Sequence, residues 1–146
     1  YVRRKYNLVI GQPTAEAVKI QIGAAVDQPE EMTMDIQGRD NVSGLPRTIT
    51  LTTGEVVEAL REPLNNIATV VKNVLSETPP ELASDIMDRG IIMTGGGALL
   101  RGVDRYLTQM TGVPVYRSES PLLAVSTGCG KALADQAIFR RIAEGY

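Results

Sequence analysis

The chain contains no histidine, no tryptophan, one cysteine and one phenylalanine. Without histidine, Ser-His and Cys-His nucleophilic catalysis are excluded. A lone Cys129 leaves too few soft ligands for a zinc site and cannot form an internal disulfide, which fits a reducing compartment. No apolar run approaches the roughly 18 residues that a membrane-spanning helix needs. The N-terminus carries no signal-peptide pattern. Neither sign of charge dominates: 15 Lys and Arg stand against 17 Asp and Glu, for a net charge of -2. A sequence pI near 5.2 and 4% aromatics argue against nucleic-acid binding. The single dense basic cluster, "YVRRKY" at residues 1–6, reads as a solvated helix face.

What is present is ordinary globular material. The 146 residues are 43% hydrophobic and 22% charged, enough for one sizeable core and too apolar for disorder. The chain begins with Tyr1 rather than Met and reads as a piece of a longer one. No repeat or low-complexity segment interrupts it.

Periodicity divides the chain into elements. Residues 1–10 read as the end of a helix closed by Gly11 and Pro13. "TAEAVKIQIGAA" follows as a short helix with Thr14 as N-cap and Glu16 in its positive first turn. Met32, Met34 and Ile36 alternate with polar neighbours, and Ile49 and Leu51 do so again after "NVSGLP". Two alternating runs joined by a Gly/Pro turn predict an antiparallel pair. Thr52 and Glu55 have capping-box spacing, opening a helix whose apolar positions run from Val56 to Leu75. Pro63 predicts a kink or restart within it, with a subdomain boundary nearby. "TPPE" at 78–81 has the spacing of a second capping box, for a helix ending near Gly90. "IIMT" has the pattern of a buried parallel strand. A helix from Leu99 to Met110 then stops at Gly112, "VPVY" is a short strand, and Ser120-Pro121 caps a last helix. Gly128 and Gly130 inside that helix should be offset by close packing, since each costs about 1 kcal/mol against alanine. The pattern of "AIFRRIAEGY" predicts that the helix continues to the C-terminus. From residue 79 the order is helix, strand, helix, strand, helix: an α/β chain with a small α+β part before it.

The centre of the sequence is "RGIIMTGGGALLRGVDR", residues 89–105. Three glycines between a strand and a helical pattern allow positive φ and let a ligand reach backbone N–H groups. The helix start adds unpaired donors, and ligands of open α/β sheets sit at the carboxyl ends of strands. A tight packing connection is the other reading, and the context favours a ligand. Two familiar phosphate loops are excluded. The dinucleotide fingerprint fails because position 100 is Leu, and the P-loop fails at Gly130-Lys131 because position 125 is Val and position 132 is Ala. Glu16 and Lys19 share one helix face, where spacing alone makes them a weak solvated pair.

At the level of whole motifs, "YVRRKYNLVIG", "TAEAVKIQIG", "GRDNVSGLPRTI", "TPPELASDIMDRGIIMTGGGALLRG" and "TGCGKAL" closely resemble the MreB family, with its paralogues such as Mbl: the bacterial actins that determine rod shape. The resemblance runs from Tyr1 to about Leu133. It implies part of an actin-like (actin/Hsp70/sugar-kinase, ribonuclease H-like) second lobe, with ATP bound between two lobes. Residues 1–60 are then similar to subdomain IIB and residues 61–146 to the returning part of subdomain IIA. Carried over by motif, the adenosine contacts are Glu16, Ala17, Val18 and Lys19 on one wall and Gly95, Gly96, Gly97, Ala98 and Leu99 on the other. Glu16 would accept hydrogen bonds from ribose hydroxyls and Lys19 would lie by the adenine.

The family's phosphate loops, Mg²⁺-positioning acid, water-activating residues, membrane-binding segment and first-lobe filament contacts lie upstream of the stretch resembled. The expectation is therefore a parent that hydrolyses ATP slowly, while this stretch alone does not catalyse. The implied partners are the chain's own copies in filaments, the cell membrane at its inner, cytoplasmic face, and the cell-wall synthesis machinery. Exposed apolar edges should favour self-association of this piece. One departure is Thr127-Gly128-Cys129-Gly130, where the family has a hydrophobic residue and then G-T-G. Two competing classes are another ATP-binding member of the superfamily, such as a sugar kinase, and an interaction module whose glycine turn only packs.

Overall fold

In a computed structural model, which describes residues 1–135 and 140, the elements run in the order α1 Val2–Tyr6, β1 Leu8–Val9, α2 Gln12–Ile22, β2 Thr33–Asp40, β3 Pro46–Thr52, α3 Thr53–Glu77, α4 Pro80–Arg89, β4 Ile91–Met93, a 3₁₀ turn Gly96–Leu99, α5 Val103–Thr111, β5 Val115–Arg117 and α6 Ala124–Ala134. The expected continuation of the last helix over 136–139 and 141–146 lies outside the described residues.

The alternating runs form the expected antiparallel pair. β2 and β3 pair from Thr33 with Thr52 to Arg39 with Pro46, and β1 joins as a third strand through Leu8 with Asp40. The hairpin end is ordered by Asp40. Its carboxylate accepts from the Val42 and Ser43 N–H groups and from Arg47, and those bonds hold it below the usual carboxylate range. Ile36 and Leu51 face α2 and α3, and with Val18, Ile22 and Val56 make one core cluster. The second cluster joins Ala25, Leu64, Ala68, Val103, Leu107 and Val115 beside the parallel pair β4–β5. Leu60, about a third of the way along α3, packs against both. A single helix thus serves two cores in succession.

Several local expectations are corrected. The first helix ends at Tyr6 because Asn7 turns left-handed at φ 52°, and Leu8 is withdrawn fully from solvent as a strand residue. α2 starts at Gln12 with Gly11 as its N-cap. Pro13, suited to a first turn because it has no N–H to leave unpaired, moves the start ahead of Thr14. The Thr52–Glu55 capping box is present, but Pro63 does not interrupt α3, which stays helical over 25 residues. There is no capping box at Thr78: its hydroxyl instead donates back to the Val74 carbonyl at 2.8 Å, and Pro79 is the N-cap of α4. The expected helix from Leu99 is two pieces, the 3₁₀ turn and α5, separated at Gly102 with φ 71°. Ser120 does not cap α6; it accepts a turn bond from the Leu123 N–H, and the helix begins after Leu123. A Cβ at Gly128 or Gly130 would meet nothing within 4 Å, so close packing does not offset these glycines. Ile92 is 69% exposed rather than buried, because among the described residues the parallel sheet has only two strands and one covered face.

The exposed apolar edges expected from the sequence are present. Ile67, Val70 and Val74 on α3, Leu82 and Met87 on α4, Leu122 and Leu123 just before α6, and Val125 within it all face solvent.

Candidate functional site

The glycine turn leaves the end of β4, as read from the sequence. Gly95 has φ 82° and ψ 174°, a backbone region essentially closed to other residues. Neither Gly96 nor Gly97 has positive φ. A Cβ added at Gly97 would meet nothing within 4 Å, and one at Gly96 would lie 3.6 Å from Leu122 Cδ2, an ordinary contact. Close packing within the chain therefore explains neither of these two glycines. Their bare backbone lines open space at the carboxyl end of a parallel strand pair. Of the five residues 95–99, Ala98 is buried and Leu99 is 45% exposed, an apolar side chain at the rim of the turn. The helical part of the turn spans only four residues, and α5 does not start until Val103. The anion-attracting helix start expected directly after the glycines is thus absent from that place.

On the other side, α2 carries Glu16, Ala17, Val18 and Lys19. Val18 is buried in the core shared with Ile36 and Leu51 and anchors the helix, while Glu16 and Lys19 point to solvent on the exposed face. The two walls belong to segments that are stitched together just beyond them. Ala24 pairs with Arg101 in an isolated parallel bridge. The Ala25 N–H donates to the Arg101 carbonyl at 2.8 Å, and Arg101 Nη1 donates to the Gly23 carbonyl at 3.1 Å. The stitch fixes the end of α2 against the chain that leaves the glycine turn. The walls do not share one cavity, however. Val18 and Lys19 line an apolar cavity of ≈ 400 Å³ beside α1 and α3 that takes in none of residues 95–99. Ala98 and Leu99 line a different cavity of ≈ 400 Å³ that takes in none of residues 16–19.

The loop after β5 is a third element of the site, missed from sequence. The Pro121 carbonyl accepts both from the Gly95 N–H at 2.8 Å and from Thr94 Oγ1 at 3.1 Å. These two hydrogen bonds to one carbonyl hold Leu122 beside Gly96. Ser118 Oγ, near the same strand ends, is buried without a partner among the described residues. A Ser-Pro pair looked like a helix cap, so nothing in the linear pattern tied it to a turn more than twenty residues earlier. Chemically, the arrangement offers a carboxylate acceptor, an ammonium, a bare backbone and apolar side chains at Leu99 and Leu122.

Comparison with known proteins agrees with the fold and the motifs. The family model described as MreB/Mbl protein matches residues 1–141. The cell shape-determining protein MreB of Escherichia coli K12 is 50% identical over 133 residues, which is 91% of this chain and 38% of that protein. The cell shape-determining protein Mbl of Bacillus subtilis 168 is 49% identical over 133 residues, covering 91% of this chain and 40% of that protein. The chain thus spans about two-fifths of the length of the curated relatives it matches. Among solved structures, MreB5 of Spiroplasma citri bound to ADP superposes with a TM-score of 0.89 at 39% identity, over 99% of this chain and 44% of that one. The MamK double helical filament superposes at 0.59 with 22% identity, over 83% of this chain and 37% of that one, a likeness of fold alone. The architecture is α/β and actin-like, and the chain belongs to the MreB/Mbl family.

Proposed function

We propose that this chain supplies the adenosine-side wall of the nucleotide pocket in an actin-like cell-shape protein that binds ATP and polymerises. The observation that carries the reading is Gly97, with Gly96 beside it: glycines that neither backbone conformation nor packing within the chain requires, at the carboxyl end of the strand pair. Relatives of the same fold were solved with ADP and with AMPPNP. In this reading Gly95, Gly96, Gly97, Ala98 and Leu99 receive the adenosine from one side and the α2 residues Glu16, Ala17, Val18 and Lys19 from the other, with Leu122 as an added apolar contact. The donor set fits a nucleoside: Glu16 accepts from ribose hydroxyls, and Leu99 offers the base an apolar surface.

Mg²⁺ accompanies ATP in this reading. Among the described residues there is no group of three or more His, Cys, Asp or Glu able to hold a metal ion. We assign its coordination, and the phosphate chemistry of a slow ATPase, to the part of the relatives' length that this chain does not span. The division of labour between 1–60 as a IIB-like unit and 61–146 as IIA-like has its support in two core clusters, one drawn from 1–60 and the other from 61–146 except for Ala25. The reading of self-association has its support in the exposed apolar faces of α3 and α4. Placement at the inner face of the membrane, with partners in wall synthesis, belongs to the same reading of the whole protein.

The role of Glu16 has a specific test. Glu16→Ala in the full-length parent is expected to weaken ATP binding about tenfold, the size of one lost hydrogen bond to a charged acceptor. The same substitution should leave 2′,3′-dideoxy-ATP binding unchanged, because that ligand has no ribose hydroxyl to donate. Equal losses for both nucleotides would assign Glu16 a structural role.

A further inference from the structure

A separate cluster of charge lies just past the glycine turn. Arg101, Arg105 and Arg117 line one cavity of ≈ 400 Å³, with Asp104 as the only carboxylate in its lining. The topology brings them together. Met93 pairs with Arg117, so the chain that leaves β4 and enters α5 runs beside the end of β5. Arg101 sits on the stitch to Gly23, and Arg105 lies in the first turn of α5. The Arg105 side chain folds back over the turn: a Cβ at Gly102 would lie 3.4 Å from its Nη2. Among the described residues the ion pairs are Lys5–Glu55 and Arg47–Asp40, and none of these three arginines takes part in either.

Three guanidinium groups around one depression repel each other, and a single carboxylate offsets only part of that. An anion bound between them relieves the rest. Guanidinium presents paired N–H donors that match the oxygens of phosphate, so a multivalent oxyanion is the natural complement. The volume falls within the range of small-molecule sites. We propose that this cavity is a second ligand site that binds a phosphate-bearing small molecule through Arg101, Arg105 and Arg117. The cavity borders the glycine turn through Ala98 and Leu99, but the proposal rests on the three arginines, which the nucleotide reading does not use.

The test is calorimetric titration of the 146-residue chain with inorganic pyrophosphate at low and physiological salt. One equivalent should bind, more weakly at higher salt. The Arg105→Gln/Arg117→Gln double variant keeps Arg101 and its bond to Gly23, so its melting temperature should be unchanged while pyrophosphate affinity falls at least tenfold. Glycerol 3-phosphate in solution and vesicles containing phosphatidic acid distinguish a soluble ligand from a lipid headgroup, and arginine-dependent binding of either supports the site. Absence of saturable pyrophosphate binding, or equal binding by the double variant, would each overturn it. So would binding of a hexaglutamate peptide without binding of pyrophosphate, an outcome that points to an acidic protein partner.

Discussion

Gly90→Ala is expected to destabilise the chain by about 3 kcal/mol. Gly90 closes α4 at φ 78° and ψ −174°, a conformation reserved for glycine that costs other residues roughly 1–3 kcal/mol. Space is lacking as well. The added Cβ would stand 2.6 Å from the Pro114 carbonyl oxygen and 2.6 Å from Tyr116 Cε2. The carbonyl cannot yield easily, because it accepts the Ile91 N–H at 2.8 Å and so holds the start of β4 against β5. Overpacking of this kind adds about 1–3 kcal/mol. For a chain of 146 residues the combined loss corresponds to a drop in melting temperature of roughly 10 °C. Thermal unfolding followed by circular dichroism reads it directly. Gly44→Ala is the control, since Gly44 shares the positive φ at 72° but has nothing within 4 Å. Equal melting points for the two variants would contradict the placement of Gly90 against β5.

The second large effect centres on Glu55. One Oε accepts the Thr52 N–H in the capping box at 3.0 Å, and the other accepts from Lys5 Nζ at 2.8 Å and from the Tyr6 hydroxyl. The side chain is 12% exposed, so these bonds are made largely out of water. Glu55→Ala removes the return half of the cap and unties α1 from α3 at once, for an expected loss of about 2 kcal/mol. The same contacts give a pH signature. Burial pushes the Glu55 carboxyl up, but hydrogen bonds from Lys5, Tyr6 and the Thr52 N–H outweigh it and hold it below its ordinary 4.5. A carboxylate depressed in the folded state contributes stability above its unfolded value and loses that contribution as pH falls through the folded one. Denaturant titrations should therefore show the wild-type chain losing stability below pH 4.5 more steeply than Glu55→Gln. Parallel curves would show that the carboxylate does not carry the contact.

The residues that were legible in the sequence share a physical property: their signal is local and periodic. The β2–β3 pair follows from side chains alternating across a sheet, and the Thr52 cap from a fixed three-residue spacing. The strand-to-turn character of residues 91–97 was equally plain, since three glycines after an apolar run allow little else. Errors arose where distant partners decide. Leu8 reads as part of a helix until β2 is available to pair with it. Pro63 removes one hydrogen bond from a long helix, and packing of Leu60, Leu64 and Ala68 on two cores outweighs that loss. Thr78 had the right neighbours for a cap, but the preceding turn of α3 offered its hydroxyl a carbonyl. The candidate site divides in the same way. Glycine at 95 is forced by backbone geometry, whereas the Pro121 carbonyl and Leu122 reach the turn through a bond no sequence spacing encodes.

The central claim is that the bare glycine backbone faces a nucleotide rather than neighbouring protein. It is tested most directly by the affinity of the full-length parent for ATP with Gly96→Val. Gly96 has an unstrained φ, and its Cβ would make only an ordinary contact with Leu122, so the fold should survive with a small change in melting temperature. The account predicts at least a tenfold loss of ATP affinity at preserved stability, because the new side chain fills the space assigned to the adenosine. Unchanged ATP affinity in a folded variant would contradict it and leave the turn as a packing connection.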